Sequence, residues 1–170
     1  EKEQQLGGML TLGVPAFRLE KDVIDAEIDI LRSLGVVFQT GVEVGKDVSL
    51  ADLRKQGYDA FYVAIGAQGG RKLGVEGEDA SGVVSGIEFL RSVNSGKANA
   101  LSGKTVVIGG GNVAVDVART AVRSGASEVT MVCLESRKEM PASEEEIAEA
   151  EEEHITINNS WGPVRIINEN

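Results

Sequence analysis

Thr105-Val-Val-Ile-Gly-Gly-Gly-Asn-Val-Ala-Val-Asp-Val-Ala118, running on to Val129-Thr-Met-Val-Cys-Leu-Glu135, decides the fold of this chain. It reads as a strand, a glycine turn, a helix, a second strand and then a carboxylate, the order of a dinucleotide-binding βαβ unit. Thr105 to Ile108 is a β-branched run that suits a buried parallel strand. Gly109 permits the tight turn because it has no Cβ. Gly110 continues the turn, and Gly111 lets the backbone approach a pyrophosphate. Val113 and Ala114 follow, with Ala114 in the third position of G-x-G-x-x-A, a permitted variant. A helix beginning near Asn112 aims its N–H groups and positive dipole end at phosphate. Glu135 closes the second strand, where a carboxylate accepts hydrogen bonds from both hydroxyls of an adenosine ribose.

Composition sets the outer limits. With 170 residues, 42% of them apolar, the chain can build one domain or parts of two. The formal net charge of −10 argues against nucleic-acid and acidic-membrane partners. No apolar run reaches membrane-spanning length, and no signal peptide is visible. A single cysteine, Cys133, excludes an internal disulfide and a C-x-x-C redox pair, so a cytoplasmic setting is the simple expectation.

Along the chain the pattern is β/α throughout. Glu20 to Leu34 fits a helix with Val23, Ala26, Ile30, Leu31 and Leu34 on its apolar face, stopped by Gly35. Val36–Phe38, Val42–Val44 and Tyr58–Ile65 are expected strands, and Ser49 with Asp52 opens a short helix between them. Residues 66–82 form a connection, Ser85 with Glu88 caps a helix, and residues 94–103 are a polar loop. After the glycine-turn unit, Ser143 with Glu146 caps a further helix, and Ile155 to Ile157 begins a third strand. No Ser/His/Asp set and no metal-ligand cluster emerges, so no catalytic side chain is assigned. His154 reads as a surface residue, Cys133 as a small core residue, Asp116 and Arg119 as a helix-surface pair, and residues 144–153 as a mostly solvated helix face.

Several stretches carry a family resemblance: Gly7-Gly-Met-Leu-Thr-Leu-Gly-Val-Pro-Ala-Phe-Arg-Leu19, Val44-Gly-Lys-Asp47, Tyr58-Asp-Ala-Phe-Tyr-Val-Ala-Ile-Gly-Ala67, Ile108 to Arg119 and Glu139-Met-Pro-Ala142. In that order they resemble the small subunit of bacterial glutamate synthase and related flavin oxidoreductases, including dihydropyrimidine dehydrogenase. The resemblance implies a Rossmann-like three-layer α/β nicotinamide domain over residues 69–170, inserted into an FAD-binding domain of which residues 1–68 are a part. Glu1 is then the carboxylate for the FAD ribose, and Gly8, Gly66 and Ala67 line the flavin. The Gly66–Gly74 stretch looks like the crossover between the two folds, a possible hinge or an ordinary surface loop. The chain itself looks like an internal slice of a longer flavoprotein, inactive alone. The implied activity passes hydride from NAD(P)H to FAD and electrons onward to an iron–sulfur partner, such as a glutamate synthase large subunit. A hydrogenase, formate dehydrogenase or ferredoxin module is the alternative, and an assembly module without turnover a further one.

The nicotinamide cofactor divides the signals. NADPH-using relatives typically carry Tyr-Arg-Arg where this chain has Cys133-Leu134-Glu135. Glu135 repels a 2′-phosphate and suits a free 2′-hydroxyl, which favours NAD. Ala114 and the nearby Arg137, a further candidate contact, keep NADP open.

Overall fold

The structure, a computed structural model, describes residues 1–98 and 100–168. Asn99, within the expected 94–103 loop, and residues 169–170, at the end of the expected second domain, lie outside the described residues. The chain forms two compact units, Glu1–Gln68 and Gly69 onward. No described helix is long and apolar enough to cross a membrane.

The first unit holds α1 (Gly8–Leu12), α2 (Lys21–Ser33) and α3 (Leu50–Lys55). Ser49 caps α3 as its spacing predicts: its Oγ accepts from Asp52 N–H at 3.1 Å, and its own N–H donates back to the Asp52 carboxylate at 3.4 Å. Gly35 ends α2 with φ +92°, and the N–H of Val36 donates to Leu31 O at 3.1 Å, closing a Schellman motif. The face of α2 that packs is not the expected one. Ile24 and Ile28 are buried, in the unit whose α1 contributes buried Leu12, whereas Val23, Ile30, Leu31 and Leu34 are exposed. Both stripes have helical spacing, and the one carrying Ile24 and Ile28 is the one that becomes buried.

The three strands expected in this unit do not form. Residues 36–38, 42–44 and 58–65 are irregular, apart from an isolated bridge between Val44 and Val48. A strand needs a neighbour for its alternate N–H and C=O groups, and β-branched composition supplies none. Val37, Tyr62 and Ile65 are consequently 90%, 95% and 81% exposed.

The second unit contains α4 (Gly86–Asn94), β1 (Lys104–Ile108), α5 (Asn112–Arg123), β2 (Glu128–Cys133), α6 (Glu144–Glu152) and β3 (Thr156–Asn159). The strands form a parallel sheet in the order β1-β2-β3, with Val107 opposite Met131 and Cys133 opposite Asn159. Alternation then separates the two sheet faces. Val107, Val129, Met131 and Cys133 point into one apolar core with Leu90 of α4, Val115, Ala118 and Ala121 of α5, and Ile147 and Ala150 of α6. Val106 and Ile108, on the other face, are exposed. Ser143 accepts from Glu146 N–H at 3.4 Å and caps α6, whereas Ser85 heads α4 without a side-chain cap bond.

Candidate functional site

Gly109, Gly110 and Gly111 fill the gap between the end of β1 and the start of α5. Each has a different neighbourhood. Gly109 has φ +145°, and a Cβ there would stand 3.1 Å from the Ala114 Cβ, so both positions must stay small. A Cβ on Gly110 would lie 2.9 Å from the Cys133 Cβ and 3.0 Å from Glu135 Oε2, because the end of β2 passes over the turn. A Cβ on Gly111 would have nothing within 4 Å. Gly111 is the N-cap of α5, in ordinary extended backbone, and opens on space at the head of a 12-residue helix. Asn112 and Val113 form the first turn there, where N–H groups precede the first intrahelical bonds. Open space beside a glycine at a helix N-terminus, with a carboxylate at one side, fits a dinucleotide.

The turn is strapped from behind. Ala142 N–H donates to Gly110 O at 3.1 Å, and Ser143 N–H donates to Asn112 Oδ1 at 3.0 Å. The Asn112 side chain makes no cap bond to α5; its Oδ1 ties the start of α5 to the cap of α6, and the residue is exposed at the turn. A bond across 31 residues gives no local sequence signal.

Glu135 is half-buried at the rim of the turn. Its backbone is fixed by the strand beyond: Ser160 N–H donates to Glu135 O at 3.0 Å, and Trp161 N–H to Cys133 O at 2.9 Å. Asn159, which sequence reasoning passed over, donates from Nδ2 to Cys133 Sγ at 3.2 Å and to Glu135 O at 3.3 Å. Arg137 points elsewhere. Its Nη2 lies 3.3 Å from a Glu151 carboxylate oxygen, and its Nη1 is buried without a partner among the described residues.

Asp116 and Arg119 are buried, not the surface pair expected from their spacing. α5 lies between the sheet and its helical neighbours, so Val115 to Ala121 are all buried. Arg119 Nε bonds Glu153 at 2.8 Å, its Nη1 pairs with Glu149, and Arg123 Nη2 reaches Glu153 at 2.9 Å. Burial by itself would raise the Glu153 carboxyl, but hydrogen bonds and charge from Arg123 and Arg119 outweigh it and hold it below the usual glutamate value. Glu146 is buried too, so the acidic helix is less solvated than its composition suggests.

In the first unit, Glu1, Gly8 and Gly66 come together around a cavity of about 510 Å³, which Gln68 also lines and Ala67 does not. Gly8 and Gly66 would each carry a Cβ without meeting any atom within 4 Å, and Gln68 Oε1 is buried with no partner among the described residues. The Glu1 carboxylate accepts from Glu3 N–H at 2.9 Å.

A parallel sheet with a glycine turn at a helix start and a carboxylate past the next strand defines the dinucleotide-binding class of α/β proteins. The chain belongs to the pyridine nucleotide-disulphide oxidoreductase family, which it matches over residues 20–159. It is 40% identical over 166 residues to the NADP(+)-dependent formate dehydrogenase subunit beta of Moorella thermoacetica, covering 96% of this chain and 23% of that one. It is 36% identical over 177 residues to the glutamate synthase [NADPH] small chain of Escherichia coli K12, covering 98% of this chain and 37% of that one. The chain thus spans about a quarter to two fifths of the length of these curated relatives. Mycobacterium tuberculosis FprA, solved in complex with NADPH, shares the fold with a TM-score of 0.73 at 24% identity, over 89% of this chain and 39% of that one.

Proposed function

We propose that this chain serves an NAD(P)H-dependent, FAD-containing oxidoreductase. Residues 1–68 contribute to the flavin site, and residues 69–170 bind the nicotinamide dinucleotide. The observation that carries the reading is the cradle at Gly111 with Glu135 Oε2 set across Gly110. It offers a phosphate site and a ribose site on neighbouring strand ends. The cavity holding Glu1, Gly8 and Gly66 supports the flavin assignment, and family membership supports the chemistry. Gly111 and Glu135 would hold NAD(P)H, a hydride donor, and Glu1, Gly8 and Gly66 would hold FAD, which would supply a hydride acceptor able to pass electrons to an iron–sulfur partner. The chain's own residues bind and orient, which is what hydride transfer between two cofactors asks of the protein around them. The relatives are named as subunits of two different assemblies. That supports a partner subunit for the protein to which this chain belongs.

Between the two nicotinamide dinucleotides the site favours NADH. Glu135 disfavours a dianionic 2′-phosphate, and the positive charge of Arg137 is answered by Glu151. This departs from the NADP(H) named for the relatives, and it rests on the residues that this chain places beside the turn. The test is anaerobic titration of the flavin-loaded protein with NADH, followed at the flavin absorption band. Bleaching at one NADH per flavin is expected. NADH binding without bleaching would leave only a nucleotide-binding assembly module.

A further inference from the structure

Glu135 can select a nucleotide only if its backbone stays put. β2 ends at Cys133, and Glu135 lies two residues into the turn beyond it. The Glu135 carbonyl receives the backbone N–H of Ser160 and the side-chain amide of Asn159. The same Asn159 nitrogen also meets Cys133 Sγ, directly across the ladder in the register Cys133 to Asn159. The Cys133 thiol itself donates to Glu135 O at 3.7 Å, so its sulfur is left to accept from Asn159, and with the carbonyl as second acceptor the amide nitrogen is placed towards both. Asn159 is half-buried, so losing the donor is not made good by bulk water.

We propose that Asn159 is a positioning residue for nucleotide choice. Through the carbonyl of Glu135 and the sulfur of Cys133 it holds the turn so that the Glu135 carboxylate faces the ribose. The inference rests on the reading of Glu135 as the ribose-binding carboxylate. A loosened turn weakens NAD binding, which uses that carboxylate, and relieves part of the repulsion that the carboxylate exerts on NADP.

The test is calorimetric titration of the full chain with NAD+ and with NADP+, so that no turnover is needed. Asn159→Ala is expected to weaken NAD+ about tenfold, the scale of one hydrogen bond. NADP+ should bind no more weakly than before, because the displaced carboxylate repels its 2′-phosphate less. Asn159→Asp, nearly the same size but lacking the donor, covers the case in which the alanine variant fails to fold, and should act in the same direction. In a Glu135→Ala background, Asn159→Ala should leave the ratio of the two dissociation constants unchanged. Equal weakening of both nucleotides, or an unchanged ratio in a protein whose ratio does respond to Glu135→Ala, overturns the role of Asn159 and leaves the site reading standing. A ratio indifferent to Glu135→Ala overturns the site reading, and the proposal falls with it.

Discussion

A side chain on Gly111 would point into space that the fold leaves open, and the residue's backbone angles are ordinary for any amino acid. Gly111→Val should therefore leave the far-UV circular dichroism unchanged while filling the phosphate cradle. Binding of NAD+ is expected to weaken at least about tenfold, from the loss of backbone approach and its hydrogen bonds; unaltered affinity would remove the turn from the site. Leu134 and Glu135 decide a different matter. Leu134 is 74% exposed, so arginine is accommodated there. Changing Leu134 and Glu135 together to Arg should reverse the nucleotide preference by about 1–3 kcal/mol, the scale of charged hydrogen bonds. Comparing kcat/KM for NADH and NADPH before and after the change checks it. The glycines and Glu135 were legible in sequence because their spacing is local. The bond from Ser143 to Asn112, itself a candidate from the motif, and the place of Asn159 were not, because each joins residues more than twenty apart, through a contact that exists only once the fold is assembled.

α5 and α6 are joined by more than apolar packing. Arg119, almost fully buried, is answered by Glu149 and Glu153, and Arg123 completes the network. Removing the Glu153 charge leaves the buried Arg119 with Glu149 as its charged partner on α6 and weakens the network, so Glu153→Gln should cost about 1–2 kcal/mol in urea unfolding. The pH dependence follows from the depressed Glu153 carboxyl. Its contribution is complete above the ordinary glutamate value and is lost as pH falls through the lower folded-state value. The stability gap between the native chain and Glu153→Gln should thus close in acid; a gap independent of pH would show that the carboxylate charge is not what matters. α6 also ends unusually. His154 takes the left-handed position, φ +63°, that glycine commonly fills after a helix. His154→Gly should raise stability by about 0.5–1 kcal/mol, measured by the same unfolding. Capping spacings announced α3 and α6 in the sequence, and Gly35 announced the end of α2. The burial of Asp116 and Arg119 was hidden because polar residues at helical spacing look alike on a surface and in a seam.

At the scale of the molecule, the two units differ in how much of their sequence pattern is satisfied. In the second, periodicity and turns agree, Ser143 caps α6 although Ser85 makes no cap bond on α4, and β1-α5-β2-α6-β3 forms with one continuous core. In the first, Tyr58 to Ile65 carries strand composition without a neighbouring strand among the described residues. Sequence pattern reports what a segment is suited to pair with, and pairing itself depends on what lies beside it. Hydrogen exchange on the 170-residue chain should separate the two cases. Amides of residues 59–65 are expected to exchange at close to the unprotected rate, while those of β2 persist far longer. Strong protection across 59–65 would mean that the run is paired in solution.

The two straps behind the glycine turn have a consequence for anyone moving this site to another scaffold. A graft of residues 105–118 alone would carry the whole recognisable signature and leave behind Ala142 and Ser143, whose N–H groups grip Gly110 and Asn112. The transplanted loop would have the right glycines and no anchor. The portable unit is the signature together with the first residues leading into the following helix, two pieces of chain that a motif search treats as unrelated.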